Sequence, residues 1–140
     1  DDGQLGLGDR DERRSPCLVP MDCGDRARSV SCALNSTFIV TEEGHGLSCG
    51  SNEHRLLACA PDDANEEQTS ANVLQRMQMP SDADGLLVRL ACAAEHGAAL
   101  TADGRVLTWG NADGGRLGRK PRMNEKWGSA AHSRPAAVVL

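Results

Sequence analysis

An internal repeat is the feature of this sequence that most constrains its fold. Residues 41–50 align with residues 101–110 at a spacing of 60 residues, and the same spacing places Cys32 on Cys92. A short Gly-x-Leu-Gly turn also recurs at residues 3–6 and 115–118, and Leu57 occupies the equivalent position between them. The spacings from Leu5 to Leu57 and from Leu57 to Leu117 define units of 52 and 60 residues. Units this small cannot bury their own faces and need neighbours stacked beside them. The repeat therefore predicts a layered assembly of like units.

Local signals within each unit predict short antiparallel strands. Residues 37–41 are β-branched and aromatic, and the strand-like segments 46–49 and 105–109 follow turns that contain Gly44 or Asp103-Gly104. Asp-Gly is a strong signal for a two-residue hairpin, and glycine supplies the positive φ that such turns require. The chain is therefore predicted to be all-β, with antiparallel sheets stacked as the blades of a β-propeller.

Composition agrees with thin layers. Phe38, Trp109 and Trp127 are the only aromatic residues, so the core must be built from Leu, Val, Ala and Cys. No apolar stretch approaches the roughly 20 residues that span a bilayer, which excludes a membrane-spanning role. Because the chain opens on Asp1 without a signal segment, we expect it to be part of a longer polypeptide.

Four landmarks recur in order and carry a family resemblance. They are the Gly-Gln-Leu-Gly-Leu-Gly-Asp of residues 3–9, Ser15-Pro16, the Val-x-Cys of residues 30–32 and the Leu-Thr-x-Asp-Gly-x-Val-x-x-Trp-Gly-Asn of residues 100–111. This pattern resembles the regulator of chromosome condensation repeat family. The resemblance implies antiparallel propeller blades that form an incomplete part of a ring of about seven.

The resemblance covers about two and a half repeats. It implies an N-terminally truncated repeat at residues 1–52, a second at 53–111 with an insertion at about 60–81, and the start of a third at 112–140. The insertion is polar and could contain a short helix around residues 72–79. The structural positions of the repeat are Gly6, Cys32, Gly44, Gly50, Cys92, His96, Gly104, Trp109, Gly110 and Gly118.

The first unit departs from the repeat pattern of the second at three notable places. Cys49 stands where the second unit has Trp109, and Ser36 stands where it has His96. Residues 52–58 have lost the glycines of the Gly-Gln-Leu-Gly turn. The junction between the first and second units is therefore the divergent one.

Charge is distributed unevenly along the chain. The net charge is −5, with −8 in residues 1–70 and +3 in residues 71–140. A protein that coats nucleic acid needs clustered positive charge, so direct nucleic-acid binding is not expected.

No motif predicts catalysis, a metal or a cofactor. The glycines of residues 3–8 lead into charged residues and Pro16, so the turn lacks the following helix that a phosphate loop requires. Six cysteines without Cys-x-x-Cys indicate neither a metal site nor disulfides, and Cys32 and Cys92 are predicted to be small buried residues, one per blade. Ser36 and His96 occupy the same repeat position, where a polar side chain bonds to neighbouring backbone.

Loops are where a propeller carries its function, because the blades are scaffold. Residues 9–14 form a mixed-charge turn, residues 60–81 form a second, polar loop, and residues 116–127 form a third loop that combines basic residues with an aromatic side chain, a composition enriched in interface anchors. The candidate interaction residues are Arg10, Arg13 and Arg14 in the first loop, and Arg116, Arg119, Lys120, Arg122, Lys126 and Trp127 in the third.

The sequence favours a non-catalytic protein-interaction scaffold that is part of a larger propeller in the cytoplasm or nucleus. The expected partner is a protein, either a small GTPase or an acidic protein surface. Two alternatives follow from the resemblance: guanine-nucleotide exchange on a Ran-type small GTPase, and the partner-binding propeller of a ubiquitin ligase.

Overall fold

A computed structural model describes residues 2–21, 24–59, 69–80, 86–119 and 135–138. These residues form strands and two short 3₁₀ turns at Glu53–Arg55 and Asp113–Gly115. The strands are β1 (Ala27–Cys32), β2 (Ser36–Thr41), β3 (Gly46–Ser51), β4 (Ser70–Arg76), β5 (Leu87–Cys92), β6 (His96–Thr101), β7 (Val106–Gly110) and β8 (Ala136–Ala137). None of the described residues forms a helix long and apolar enough to cross a bilayer.

The strands form two antiparallel meanders in the same order, β1-β2-β3-β4 and β5-β6-β7-β8. Cys32 lies opposite Thr37 in the first sheet, and Cys92 lies opposite Gly97 in the second. Ser36 and His96 likewise lie opposite Gly50 and Gly110. The prediction of antiparallel sheets with equivalent positions 60 residues apart is confirmed.

The prediction of a short helix around residues 72–79 is wrong. Ser70–Arg76 forms β4, which pairs with β3 through Leu47 opposite Arg76 and Ser51 opposite Ser70. The open edge of β3 presents unpaired backbone groups, and pairing with them overrides local preference. This part of the segment predicted as an insertion is thus a strand of the first sheet, whereas residues 60–68 and 81 lie outside the described residues.

Left-handed glycines close the hairpins and the strand ends. Gly44 has φ 83° in the β2–β3 turn, and Gly104 has φ 85° in the β6–β7 turn. At the ends of β3 and β7, Gly50 and Gly110 have φ 106° and 103° and lie against the backbone of the adjacent turn. A side chain would be strained at these positions, which explains why the repeat has glycine there.

The apolar core lies between the two sheets. Phe38 and Val40 of β2 are fully buried in the same cluster as Leu90, Leu107 and Trp109 of the second sheet. The Trp109 indole N–H donates to the carbonyl oxygen of Leu56 over 2.8 Å. The prediction that Trp109 packs between the sheets is confirmed.

The two sheets donate hydrogen bonds to equivalent turn carbonyl oxygens, those of Gln4 and Leu56, from different side chains. In the first sheet, the Cys49 thiol and the Thr37 hydroxyl both donate to the Gln4 carbonyl oxygen, at 3.6 and 2.8 Å. In the second, Gly97 lies opposite Trp109, and a Cβ at Gly97 would lie 2.4 Å from ring atom Cζ2 of Trp109. The pair of Thr37 and Cys49 in the first sheet therefore occupies the positions that Gly97 and Trp109 occupy in the second.

The expectation that Cys32 is buried is wrong. Cys92 is half-buried because β5 lies beside β1 of the other sheet, and its backbone N–H donates to the Ser31 hydroxyl over 3.2 Å. No described strand lies on the corresponding side of β1, so Cys32 is exposed. The described cysteines, at positions 17, 32, 49, 59 and 92, are free thiols, and Cys23 lies outside the described residues.

Thiol reactivity should follow this difference in burial. Burial raises the pKa of Cys49 to about 11 and that of Cys92 to about 12. With Ellman's reagent at pH 8, we expect exposed Cys17 and Cys32 to react at least about tenfold faster than Cys49 and Cys92. The thiolate is the nucleophile, and burial disfavours it at the latter two. Mass spectrometry of digested, labelled protein measures each site, and unfolded protein provides the control. Equal rates at Cys32 and Cys49 would contradict the burial.

The same shifts predict a sign for alkaline stability. A raised pKa means that the folded state favours the protonated thiol, so the stabilisation is fully present below pH 9, the ordinary thiol pKa. It should be lost as the pH rises from 9 toward 11 and 12, which denaturant unfolding at several pH values measures.

Candidate interaction surface

Three segments meet at one end of the two sheets. Residues 52–58 follow β3, residues 93–95 connect β5 to β6, and residues 111–118 follow β7. The Asn111 N–H donates to the Glu95 carbonyl oxygen over 2.8 Å, which joins the last two segments. We call these residues the turn edge. It includes Arg116 and Gly118, which the sequence singled out, and it brings them beside residues that the sequence did not.

Glu95 organises the charge of the turn edge. Its Oε2 accepts a hydrogen bond from Asn111 Nδ2 over 3.0 Å and forms an ion pair with Arg116 Nη1. Arg116 Nε also donates to the Asp113 carbonyl oxygen over 2.7 Å. The Arg116 guanidinium lowers the pKa of the Glu95 carboxyl. Arg116 is therefore held at the surface by contacts with Glu95 and Asp113 of the same chain, which the sequence did not predict.

The turn that lost its glycines keeps their left-handed backbone. His54, Arg55 and Ala58 have φ of 56°, 55° and 51°, whereas the second unit has Gly114, Gly115 and Gly118 at these positions with φ of 68°, 73° and 61°. A side chain in this conformation costs roughly 1–2 kcal/mol per residue. Both turns are held in the same way, because the hydroxyls of Ser48 and Thr108 donate to the carbonyl oxygens of Leu57 and Leu117, each over 2.7 Å.

Strain of this kind is informative where the side chains are exposed. Arg55 is exposed, whereas the His54 side chain is only 35% exposed and its Nε2 lies 3.9 Å from Glu53 Oε1. The positive charge of His54, when protonated, also contributes to lowering the pKa of Glu95, so the strained turn of one unit lies near the ion pair of the next. Strained backbone that carries exposed polar side chains is typical of contact sites.

Relieving this strain should stabilise the chain. Arg55→Gly is expected to raise the free energy of unfolding by about 0.5–1 kcal/mol, because the relief exceeds the added entropy of the unfolded chain. Urea unfolding of the 140-residue chain measures it. Glu53→Gly is the matched control: Glu53 lies in the same turn without a positive φ, so that glycine should destabilise. A loss of stability in Arg55→Gly would show that the side chain makes a stabilising contact.

The first candidate loop is docked onto the outer strand β4. Arg10 Nη2 donates to the Ser70 hydroxyl over 2.8 Å, and Arg13 forms an ion pair with Asp9 over 2.5 Å. Leu7 forms a β-bridge with Val73, while Arg14 is exposed. Ser70 is next to Thr69, whose carbonyl oxygen accepts the Asn52 N–H of the turn edge over 2.8 Å, so Arg10 is docked beside the start of that edge. The charge of Arg13 is balanced locally by Asp9.

The remaining candidates are described only in part. Arg119 is half-buried at the end of the turn edge. Lys120, Arg122, Lys126 and Trp127 lie outside the described residues. The sequence had missed Glu95, Asn111 and His54; only the lost glycines of residues 52–58 marked that turn as unusual.

Two four-stranded antiparallel sheets joined through one apolar layer define consecutive blades of a β-propeller. Solved structures have the same fold. Human WBSCR16 superposes with a TM-score of 0.75 at 26% identity, over 97% of this chain and 30% of that one. Prp20p from Saccharomyces cerevisiae superposes with a TM-score of 0.74 at 15% identity, over 99% of this chain and 32% of that one.

Sequence relatives extend the comparison. The serine/threonine-protein kinase Nek9 of Xenopus laevis is 31% identical over 116 residues, which are 83% of this chain and 12% of Nek9. The secretion-regulating guanine nucleotide exchange factor of Bos taurus is 36% identical over 111 residues, 78% of this chain and 22% of that protein. The X-linked retinitis pigmentosa GTPase regulator of Homo sapiens is 28% identical over 122 residues, 87% of this chain and 11% of that protein.

No family model matches the chain. The relatives and the structural neighbours nevertheless confirm the resemblance drawn from the sequence: the chain carries repeats of the regulator of chromosome condensation type. The chain spans between 11% and 22% of the length of these relatives.

Proposed function

We propose that this chain is a non-catalytic protein-interaction scaffold within a larger propeller, and that it binds a protein partner through the turn edge. The observation that carries the proposal is the strained backbone of His54 and Arg55 beside the ion pair of Glu95 and Arg116. We place the protein in the cytoplasm or nucleus, where the free thiols of Cys17 and Cys32 stay reduced.

The geometry of the turn edge suits a protein surface. It presents both signs of charge, and the network around Glu95 fixes them before a partner arrives. Side chains that are already ordered lose less entropy on binding, and matched charges favour one orientation of the partner. The names of two relatives support a protein partner, since one is called a GTPase regulator and the other an exchange factor.

A pair of charge swaps tests the turn edge. Glu95→Arg with Arg116→Glu retains an ion pair within the protein but reverses the charges offered to a partner. The control is the same exchange at Asp103 and Arg105, whose ion pair of 2.6 Å lies in the β6–β7 turn at the opposite end of the sheet. Each variant is used as bait in quantitative pull-downs. We expect the first swap to reduce recovery of a specific partner about tenfold and the control to leave it unchanged. Equal recovery with both swaps would refute the proposal.

Guanine-nucleotide exchange on a Ran-type GTPase is the second candidate, favoured by the 36% identical relative that is named an exchange factor. An exchange factor must bind the nucleotide-free GTPase more tightly than the loaded one. Because the chain covers only 22% of that relative, we expect it to leave the release of labelled GDP unchanged on its own. Acceleration of about tenfold by the 140-residue chain would instead assign exchange to this segment.

A further inference from the structure

The inner strands of the two sheets border a cleft. β1 and β5 are the first strands of their sheets, and the Cys92 N–H reaches the Ser31 hydroxyl between them over 3.2 Å. The cleft beside them has a volume of about 690 Å³. Both strands are edge strands among the described residues, so each presents backbone donors and acceptors that no described neighbour strand pairs. The cleft shares Ala93 with the turn edge, but neither Glu95 nor Arg116 lines it.

The charge of this cleft has one sign. Arg28 and Arg89 line it and are exposed, and none of the 12 described lining residues is acidic. Among the described residues, neither guanidinium has a hydrogen bond or an ion pair. By contrast, Arg26 lies 3.5 Å from Glu42 and Arg105 lies 2.6 Å from Asp103. In a chain of net charge −5, two uncompensated arginines in one cleft form a local site for anions.

We propose that this cleft binds an extended, acidic peptide segment of a partner protein, with carboxylates placed on Arg28 and Arg89. The planar guanidinium matches a carboxylate with two parallel hydrogen bonds. Val30 also lines the cleft and is 66% exposed, so it offers apolar surface to such a segment. The edge strands supply backbone partners for the peptide bonds of that segment.

A nucleic acid fits the cleft less well. Binding of single strands uses large aromatic side chains on which bases stack, and none of the described lining residues is Phe, Tyr or Trp. A long polyanion would also meet the net charge of −8 carried by the first 70 residues. A short carboxylate segment needs only the cleft itself.

Fluorescence anisotropy with the 140-residue chain tests the proposal. The probes are a labelled octapeptide of alternating glutamate and valine, its lysine–valine counterpart, and a labelled oligothymidine of eight nucleotides. We expect saturable binding of the glutamate peptide that weakens from 50 to 200 mM salt, because the contacts are charged. No saturable binding, or tighter binding of either other probe, would overturn the proposal.

Substitutions locate the site. Arg28→Ala with Arg89→Ala should weaken binding of the glutamate peptide about tenfold or more, since two charged hydrogen-bonded contacts are lost. Arg76→Ala is the matched control, because Arg76 is an exposed arginine on β4, at the far edge of the first sheet. Unchanged affinity in the double variant, or an equal loss in Arg76→Ala, would refute the assignment. Failure here would leave the charge swaps at the turn edge unaffected, since they alter other residues.

Discussion

Threonine at Gly97 is expected to lower the free energy of unfolding by about 3 kcal/mol, at the upper end of what overpacking a core costs. A Cβ there would lie 2.4 Å from ring atom Cζ2 of Trp109. The ring has little room to withdraw, because Trp109 is fully buried and its indole N–H donates to the Leu56 carbonyl oxygen. Denaturant unfolding of Gly97→Thr measures the loss.

The first sheet indicates how to reduce this loss. Its equivalent positions hold Thr37 and Cys49, both of which donate to the Gln4 carbonyl oxygen. Trp109→Cys alone should cost about 3–5 kcal/mol, because it leaves a cavity. Gly97→Thr combined with Trp109→Cys should cost less than the sum by about 1–3 kcal/mol, the coupling typical of residues in contact. Strictly additive losses would show that the two sheets do not use interchangeable solutions.

Alanine at Gly110 is expected to lower the free energy of unfolding by about 3 kcal/mol, through both backbone strain and steric conflict. Gly110 has φ 103°, and a Cβ there would lie 2.5 Å from the Glu95 carbonyl oxygen and 2.8 Å from His96 Cα. Both contacts are with backbone, so no side-chain rotation relieves them.

Gly104→Ala separates the two causes. Gly104 has φ 85°, but a Cβ there would meet nothing within 4 Å. Its loss should be only the roughly 1–2 kcal/mol of a left-handed side chain. The difference between the two urea midpoints isolates the close approach at Gly110. If both alanines cost the same, steric conflict at Gly110 plays no part.

The parts of the fold that depend on local pattern were predictable. The β-branched run at residues 37–41 and the Asp103-Gly104 turn are signals carried by neighbouring residues, and both lie where the sequence placed them. β4 was not predictable in this way, because Ser70–Arg76 contains Asn72, Gln75 and other polar residues. Its strand conformation comes from pairing with β3, which is distant in sequence.

The turn edge shows the same division. Lost glycines marked residues 52–58 as divergent, but the sequence could not reveal that His54 and Arg55 retain the left-handed backbone. The ion pair of Glu95 and Arg116 joins residues 21 positions apart with no periodic signal. Burial of Cys32 failed as a prediction because it depends on a neighbour for β1, and position within a repeat does not specify that neighbour.

β4 has a further consequence for how this protein loses its structure. The strand follows the turn of residues 52–58, which packs under Trp109 of the second sheet, and then returns to complete the first sheet. The first sheet therefore cannot open at its outer edge without disturbing the segment that anchors the second. Amide hydrogens of β3 and β7 should accordingly exchange at a common, global rate, as members of one cooperative unit. The first sequence repeat ends at residue 52, and a cut there would separate β3 from β4 of the same sheet. The cooperative unfolding unit therefore has different boundaries along the chain from the sequence repeat.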